Sequence, residues 1–282
     1  MNIRQVRKKI KSITNVKKIT KAMEMISAIK MKKAQQKAVE GRPYQEGLDE
    51  MIKKIIVKVD ISHSSLLAAN DKTDKELIII VSSNKGLCGG FNFNLFRFLL
   101  VNKIEFAKTD FIIVGKKSGF FINKMKGNIL ADFSSNEPLN SVSAVFDYAL
   151  KIFFSRQCRK IFLVYNRFIS ALKVTPVVEM LLPFSMVDNK LQQIKQTNEY
   201  LIEPSSEKII DSLLRSYLEE RIRFSIIQSE AGEHSSRMIA MKNATDNAED
   251  LTYSLTLLRN KIRQTKITYE LLDMMTAKES VS

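Results

Sequence analysis

The chain reads as an α/β protein: a long antiparallel coiled coil of its N- and C-terminal helices carrying a Rossmann-like α/β domain with a mainly parallel sheet between them. Three observations predict this. The segment from Ser205 to Ser282 has no proline and a single glycine, Gly232, and its second half follows a heptad. A second glycine- and proline-free stretch of helical spacing opens the chain and runs to Glu40. Between them, near-continuous apolar runs alternate with segments of helical period.

The C-terminal segment is the strongest signal. From Met241 the seam positions step by three and four: Met241, Ala244, Ala248, Leu251, Leu255, Leu258, Ile262, Thr265, Tyr269, Leu272. A period of 3.5 makes two helices that share such a seam supercoil to the left. A fully helical segment of this size is on the order of 110 Å long at about 1.5 Å per residue. One ordinary domain is too small to cover it, so most of it must lie against a partner, first of all the other long helix.

That other helix is expected over residues 1–58. Its apolar positions, Ile3, Val6, Ile10, Ile13, Val16, Ile19, Met23 and Ile26, keep helical spacing, with a phase break where Ile13, Val16 and Ile19 repeat a step of three. Gly41-Arg42-Pro43 predicts a kink or break, because proline removes a backbone donor and glycine is a poor helix former. Residues 59–75 read as a polar linker, 76–205 as the α/β domain and 206–282 as the C-terminal helix. Because the chain leaves one long helix and returns in the other, a pair formed by them is antiparallel.

Within the α/β domain, Leu77–Ser82, Phe111–Gly115 and Ile161–Phe168 read as strands, the first two covered on both faces. Helical spacing recurs over Phe91–Lys108, near Lys116–Lys126 and over Ser141–Gln157. Leu172–Phe184, with Pro176 and Pro183, reads as an extended edge segment, since proline is confined to edges and bulges.

Composition narrows the function classes. The chain has 282 residues and a formal net charge of +15. Residues 1–40 hold twelve lysines and arginines against Glu24 and Glu40, a local balance of +10. A basic helix of this kind implies an acidic partner: nucleic acid, anionic lipid or an acidic protein surface. No aromatic residue interleaves the basic ones before Tyr44, which disfavours single-stranded nucleic acid. No apolar run reaches the roughly 18 residues of a membrane span, and no secretory signal follows the basic start. Cys88 and Cys158 form no paired motif and read as small buried hydrophobes.

The loop from Ser82 to Gly90 follows a strand and opens a helix, a position suited to phosphate. It matches neither the Walker nor the dinucleotide glycine pattern, so a tight packed turn is the better reading, with Lys85 offering a charge to an acidic partner. His63 and His234 are the only histidines, and neither has a partner at metal-ligand spacing. No catalytic constellation, cofactor site or metal site is expected. The methionines Met23, Met25, Met31, Met238, Met241, Met274 and Met275 read as ordinary core.

Three stretches resemble the signatures of the gamma subunit of F-type ATP synthase: Ile19-Thr20-Lys21-Ala22-Met23-Glu24-Met25, Gly86-Leu87-Cys88-Gly89-Gly90, and Arg237 through Ala248. Arg263-Gln264 with Ile267-Thr268 and Glu270-Leu271 resembles that family's C-terminal tip, and Tyr200 through Ser205 its domain-to-helix junction. The resemblance spans the whole chain in order. It departs where Asn84-Lys85 replaces the usual Asp-Arg and where Ser236 replaces alanine.

The resemblance implies a central shaft of paired helices inside a ring of alpha and beta subunits. It also implies a foot meeting the epsilon subunit and the membrane rotor ring of c subunits. Ion flow turns the rotor, and the shaft drives the beta sites through successive conformations, so this chain is not itself an enzyme. Lys21 and Met23 then resemble shaft positions beside an acidic lever of beta, and Arg263, Gln264, Thr268 and Glu270 resemble tip positions at the ring's catch loop. The resemblance further implies a peripheral protein at the cytoplasmic face of a bacterial plasma membrane, without a transit peptide or thiol switch. The competing class is a basic coiled-coil nucleic-acid-binding protein, and a weaker third is a nucleotide-binding enzyme built on the glycine loop.

Overall fold

The computed structural model describes residues 2–56, 64, 66–67, 73–102, 104–135, 137–184 and 205–279. The expected linker is mostly outside them, as are His63 and the junction residues Tyr200–Pro204. The chain divides into two compact units, one of residues 1–28 with 237–282 and one of residues 29–236.

The larger unit is built on a five-stranded sheet in the order β3-β2-β1-β4-β5. The strands are β1 (Glu76–Val81), β2 (Thr109–Val114), β3 (Asn128–Asp132), β4 (Lys160–Ser170) and β5 (Lys173–Leu182). The pairs β1–β2, β1–β4 and β2–β3 are parallel, in the register Glu76 opposite Thr109 and Lys160. Strand β5 is antiparallel to β4 and lies at the edge, where Pro176 opposite Asn166 is tolerated.

Strands β1 and β2 are buried almost end to end because both sheet faces are covered. Odd-numbered β1 residues Leu77, Ile79 and Val81 enter one core with helix α4 (Val142–Phe154). That core also takes Ile52 and Ile55 of helix α1 (Ile3–Ile56) and Ile210 to Ile226 of helix α5 (Ser206–Glu279). Ile78 and Ile80 enter the second core with helices α2 (Phe91–Val101) and α3 (Lys116–Lys124), under the stacked rings of Phe96 and Phe121.

Several local expectations differ from the structure. Strand β3 has no counterpart among the expected strands, since its five residues are at most half covered and its apolar run, Ile129 to Ala131, is only three residues long. Helix α2 ends at Val101, where Asn102 caps it, rather than running to Lys108. No break occurs at Gly41-Arg42-Pro43: α1 is helical through all three residues. An internal proline disfavours a helix by roughly 3 kcal/mol, and the burial of Leu48, Ile52 and Ile55 one to three turns further on offsets that.

Burial also sets the alkaline limit of this unit. Tyr165, Tyr217 and Cys158 are each pushed up to about 12, in every case first by burial. The unfolded chain releases these protons near their ordinary values, so the folded state's advantage is present below pH ~9–10 and disappears as pH rises toward about 12. We expect stability to fall steeply across that window and the fall to soften in Tyr165→Phe. Denaturant midpoints between pH 8 and 12 check this, and equal slopes in both proteins would refute it.

Candidate functional site

The smaller unit is a pair of helix ends, the start of α1 against the last part of α5. Lys17 Nζ lies 2.9 Å from Glu249 Oε1, and the hydroxyls of Thr20 and Thr245 meet at 2.8 Å in a buried bond. As the α1 number rises from 17 to 20, its α5 partner falls from 249 to 245, so the helices are antiparallel. One hydroxyl of the threonine pair donates to the other. The acceptor in turn donates to its own helix, through the Lys17 carbonyl or the Met241 carbonyl. Neither hydroxyl of this pair is left dry and unpaired.

The covered face differs in phase from the apolar pattern. On α5, Met241, Thr245 and Ala248 are buried, and Thr252, Leu255, Arg259 and Ile262 are half-buried. Met241, Ala248, Leu255 and Ile262 recur every seven residues. The intervening seam positions are Thr245, Thr252 and Arg259, not Ala244, Leu251 and Leu258. Leu251 is 54% exposed and Leu258 39%, while Ala244 is half-buried beside the seam.

Helix α1 behaves alike. Its covered positions run Ile3, Val6, Ile10, Ile13, Lys17, Thr20, Glu24 and Ser27, an unbroken alternation of threes and fours, while Val16, Ile19 and Ile26 are exposed. The phase break seen in the apolar residues is therefore absent from the packing. Polar side chains alternate with apolar ones in the seam while several aliphatic ones face out, unlike an ordinary two-stranded coil with an apolar seam.

The candidate contact residues lie on two parts of this unit. Lys21 is half-exposed and holds Glu24 at 3.0 Å; Met23 is half-buried. Arg263, Gln264, Thr268 and Glu270 are exposed, with Thr268 bonded back to the Gln264 carbonyl and Glu270 paired with Lys266 at 3.4 Å. These surface pairs are worth little individually.

Helix α1 begins beside Ile262, at a groove of about 630 Å³ lined by Asn2, Ile3, Leu258, Ile262, Tyr269 and Glu270. Every residue of α5 from Arg263 to Ala277 is exposed. Six of them are large and apolar: Ile267, Tyr269, Leu271, Leu272, Met274 and Met275. At about 100° per residue they spread over roughly 220° of the helix surface, much wider than the stripe of about 100° that one groove would cover. Met25, Met274 and Met275 are thus surface residues, not the core residues that their type suggests.

The sheet's own crevice is filled from within. At the carboxyl ends of parallel strands a doubly wound sheet offers helix N-termini to a phosphate. Here the first amides of α3 are taken: Lys116 N–H donates to Asn84 Oδ1 at 3.0 Å, Lys117 N–H to the Ser83 carbonyl at 3.1 Å and Ser118 N–H to Ser82 Oγ at 2.9 Å. Asn84 Nδ2 donates onward to the Ser135 carbonyl, and Asn92 Nδ2 donates to Ser83 Oγ at 2.7 Å. Glycine is required at position 115, where φ is +115° and an added Cβ would stand 2.1 Å from the Ser82 carbonyl oxygen. The loop is a packed turn that presents exposed Lys85 and Leu87, with Cys88 buried beneath.

Among the described residues no cluster of His, Cys, Asp and Glu has metal-binding geometry. His234 lies 3.8 Å from Glu230, whose carboxyl is held below the usual range chiefly by the hydrogen bond from that imidazole. Cys158 is fully buried and forms no disulfide.

Sequence reasoning missed the threonine pair and a charged cluster around Glu179. Tyr165 Oη donates to Glu179 Oε1 at 2.8 Å, Arg167 binds the same oxygen at 2.6 Å and Arg221 binds Oε2 at 2.7 Å. The only available signal was a lone acidic residue in the mostly apolar second half of the edge strand.

A family model described as ATP synthase matches residues 2–281. The chain is 37% identical to the ATP synthase gamma chain of Buchnera aphidicola subsp. Acyrthosiphon pisum, covering 99% of this chain and 98% of that one. To the ATP synthase gamma chain of Akkermansia muciniphila it is 33% identical, with 98% of each chain covered. Among solved structures its fold is similar to a chain of the Euglena gracilis mitochondrial ATP synthase, with a TM-score of 0.70 at 18% identity over 99% of this chain and 94% of that one. A chain of the Tetrahymena thermophila mitochondrial ATP synthase central stalk and c-ring gives a TM-score of 0.57 at 24% identity, over 80% and 99%. With its antiparallel helix ends and mostly parallel sheet, and with relatives matched almost end to end, the chain belongs to the ATP synthase gamma chain family.

Proposed function

We propose that this chain is the central-stalk rotor subunit of an F-type ATP synthase. In this role it couples ion-driven rotation of the membrane c-ring to ATP synthesis in the beta subunits. The observation that carries the reading is the bare end of α5. A lone helix with large apolar residues over most of its circumference is marginal in water and demands a partner that surrounds it. A ring of alternating alpha and beta subunits meets that demand; a single groove or a nucleic-acid duplex does not.

The remaining features fit the same role. Catalysis belongs to the beta subunits, and this chain supplies a basic, asymmetric surface that they meet in turn. Lys21 and Met23 face an acidic lever of beta, and Arg263, Gln264, Thr268 and Glu270 meet the ring around the tip. Each contact is exposed and individually worth roughly 1 kcal/mol or less, which suits a surface that must release one partner and engage the next. The epsilon subunit and the c-ring meet the α/β domain, where Lys85 offers a charge. No helix among the described residues is long and apolar enough to cross a membrane, and the reading gives the chain a peripheral place at the cytoplasmic face of a bacterial plasma membrane.

Co-expression with the matching alpha and beta subunits tests this. We expect one large ATP-hydrolysing particle holding a single copy of this chain. If this chain elutes alone while alpha and beta remain unassembled, the reading fails. Salt-dependent DNA retention by the free chain would then support the nucleic-acid class instead.

A further inference from the structure

Inside the larger unit, α5 packs on the sheet through a ridge of uniform spacing: Ile210, Leu214, Leu218, Ile222 and Ile226, all buried and each four residues from the next. Such a ridge is nearly degenerate. Sliding the helix by one step replaces four of the five with another branched aliphatic side chain of the same volume and changes only the end position, to Ser206 or Glu230, and apolar burial is not directional. The ridge alone therefore does not fix the register of the helix on the sheet, and the apolar contact that marks it is a single point, Gly232, where an added Cβ would stand 2.9 Å from Val174 Cγ1.

The Glu179 cluster does. Glu179 lies on the edge strand β5 with its side chain 18% exposed, and its two oxygens are divided between elements. Oε1 takes Tyr165 and Arg167 of β4, and Oε2 takes Arg221 of α5. One turn earlier on α5, Tyr217 lies under the Arg221 guanidinium at 5.8 Å, and the charge of Asp49 on α1 acts on both side chains. Two carboxylates and two guanidiniums thus balance in charge across β4, β5, α5 and α1. Moving α5 by one ridge step would carry Arg221 about 6 Å along the axis and leave Glu179 short of a partner, a large penalty for a mostly buried charge. Other polar contacts of α5 with the sheet, such as Gln228 Oε1 accepting from Phe168 N–H at 3.2 Å, are neutral and single.

We propose that Glu179 is a positioning residue for torque transfer: through Arg221 it locks the register of the first part of α5 on the sheet, so that this stretch of helix and the sheet turn as one body. The inference rests on the rotor reading above. Polar residues that fix register at some expense of stability are known in helical assemblies, and here the lock would bear load.

The test uses the assembled particle with alpha and beta, carrying a probe on the sheet domain through Phe120→Cys, a site 72% exposed on α3. Angular variance of the probe during a catalytic pause reports the compliance between the sheet and the helices held by the ring. We expect Glu179→Gln and Arg221→Gln each to at least double that variance while ATP hydrolysis stays within about twofold of the parent. Unchanged variance in either assembled variant overturns the lock, and so does failure of both variants to assemble, which would make the cluster a folding requirement only. A Phe120→Cys parent that forms no rotating particle instead sinks the rotor reading and takes this role with it.

Discussion

Gly115→Ala is expected to destabilise the sheet domain by roughly 3 kcal/mol or more, lowering its melting temperature by about 10 °C. Two effects add. A φ of +115° is one that L side chains rarely adopt. The new Cβ would also stand 2.1 Å from the Ser82 carbonyl oxygen and 2.7 Å from its carbon, backbone atoms that cannot rotate away. Relief requires moving the end of β1 from the start of α3, and with it the bonds from Ser82, Ser83 and Asn84 to the helix amides. Gly119→Ala, in the same helix, is the control. Its Cβ would meet only the Ile113 Cδ1 atom at an ordinary 3.5 Å, so it should be neutral or stabilise by up to about 1 kcal/mol. Thermal melts of both variants decide the matter, and equal midpoints would contradict the account of the turn.

Ala248→Leu is expected to destabilise the helix pair by roughly 1–3 kcal/mol, whereas Leu251→Ala should change the isolated chain by less than about 0.5 kcal/mol. The contrast follows from burial. Ala248 is 5% exposed in the seam, one turn from the Thr20–Thr245 bond, and three added carbons have nowhere to go. Leu251 is 54% exposed and faces away from α1. Leucines chosen by hydropathy alone would give the opposite ranking. Denaturant midpoints of the two variants therefore test the seam phase directly; a larger loss in Leu251→Ala would restore the leucine seam. On the rotor reading, which covers this exposed face with alpha and beta, Leu251→Ala should weaken retention of the chain in the assembled particle.

The same contrast explains what the sequence made legible. Strands β1, β2 and β4 stood out because a sheet covered on both faces needs continuous apolar runs, and α5 stood out because nothing in it can break a helix. Strand β3 did not, since a short half-covered edge strand such as Asn128–Asp132 carries no pattern of its own. Pro43 misled in the other direction, because tertiary burial on α1 outweighs a local penalty. The seam differs by one residue in each heptad because half-buried Thr252 and Arg259 lie beside exposed Leu251 and Leu258, and hydropathy alone picks the leucines. The basic helix was legible from its charge alone, but Lys21 and Met23 as particular contacts, and the tip residues, came only through family resemblance. Glu179 and its arginines are far apart in sequence, and no spacing rule brings them together.

The most direct measurement of the central claim is rotation itself. A probe fixed to the sheet domain of the particle assembled with alpha and beta should turn in one direction when ATP is supplied, pausing at three positions per turn as the shaft meets each beta subunit. A particle that hydrolyses ATP at full rate while the probe stays fixed would contradict the rotor account, however closely the chain resembles its relatives.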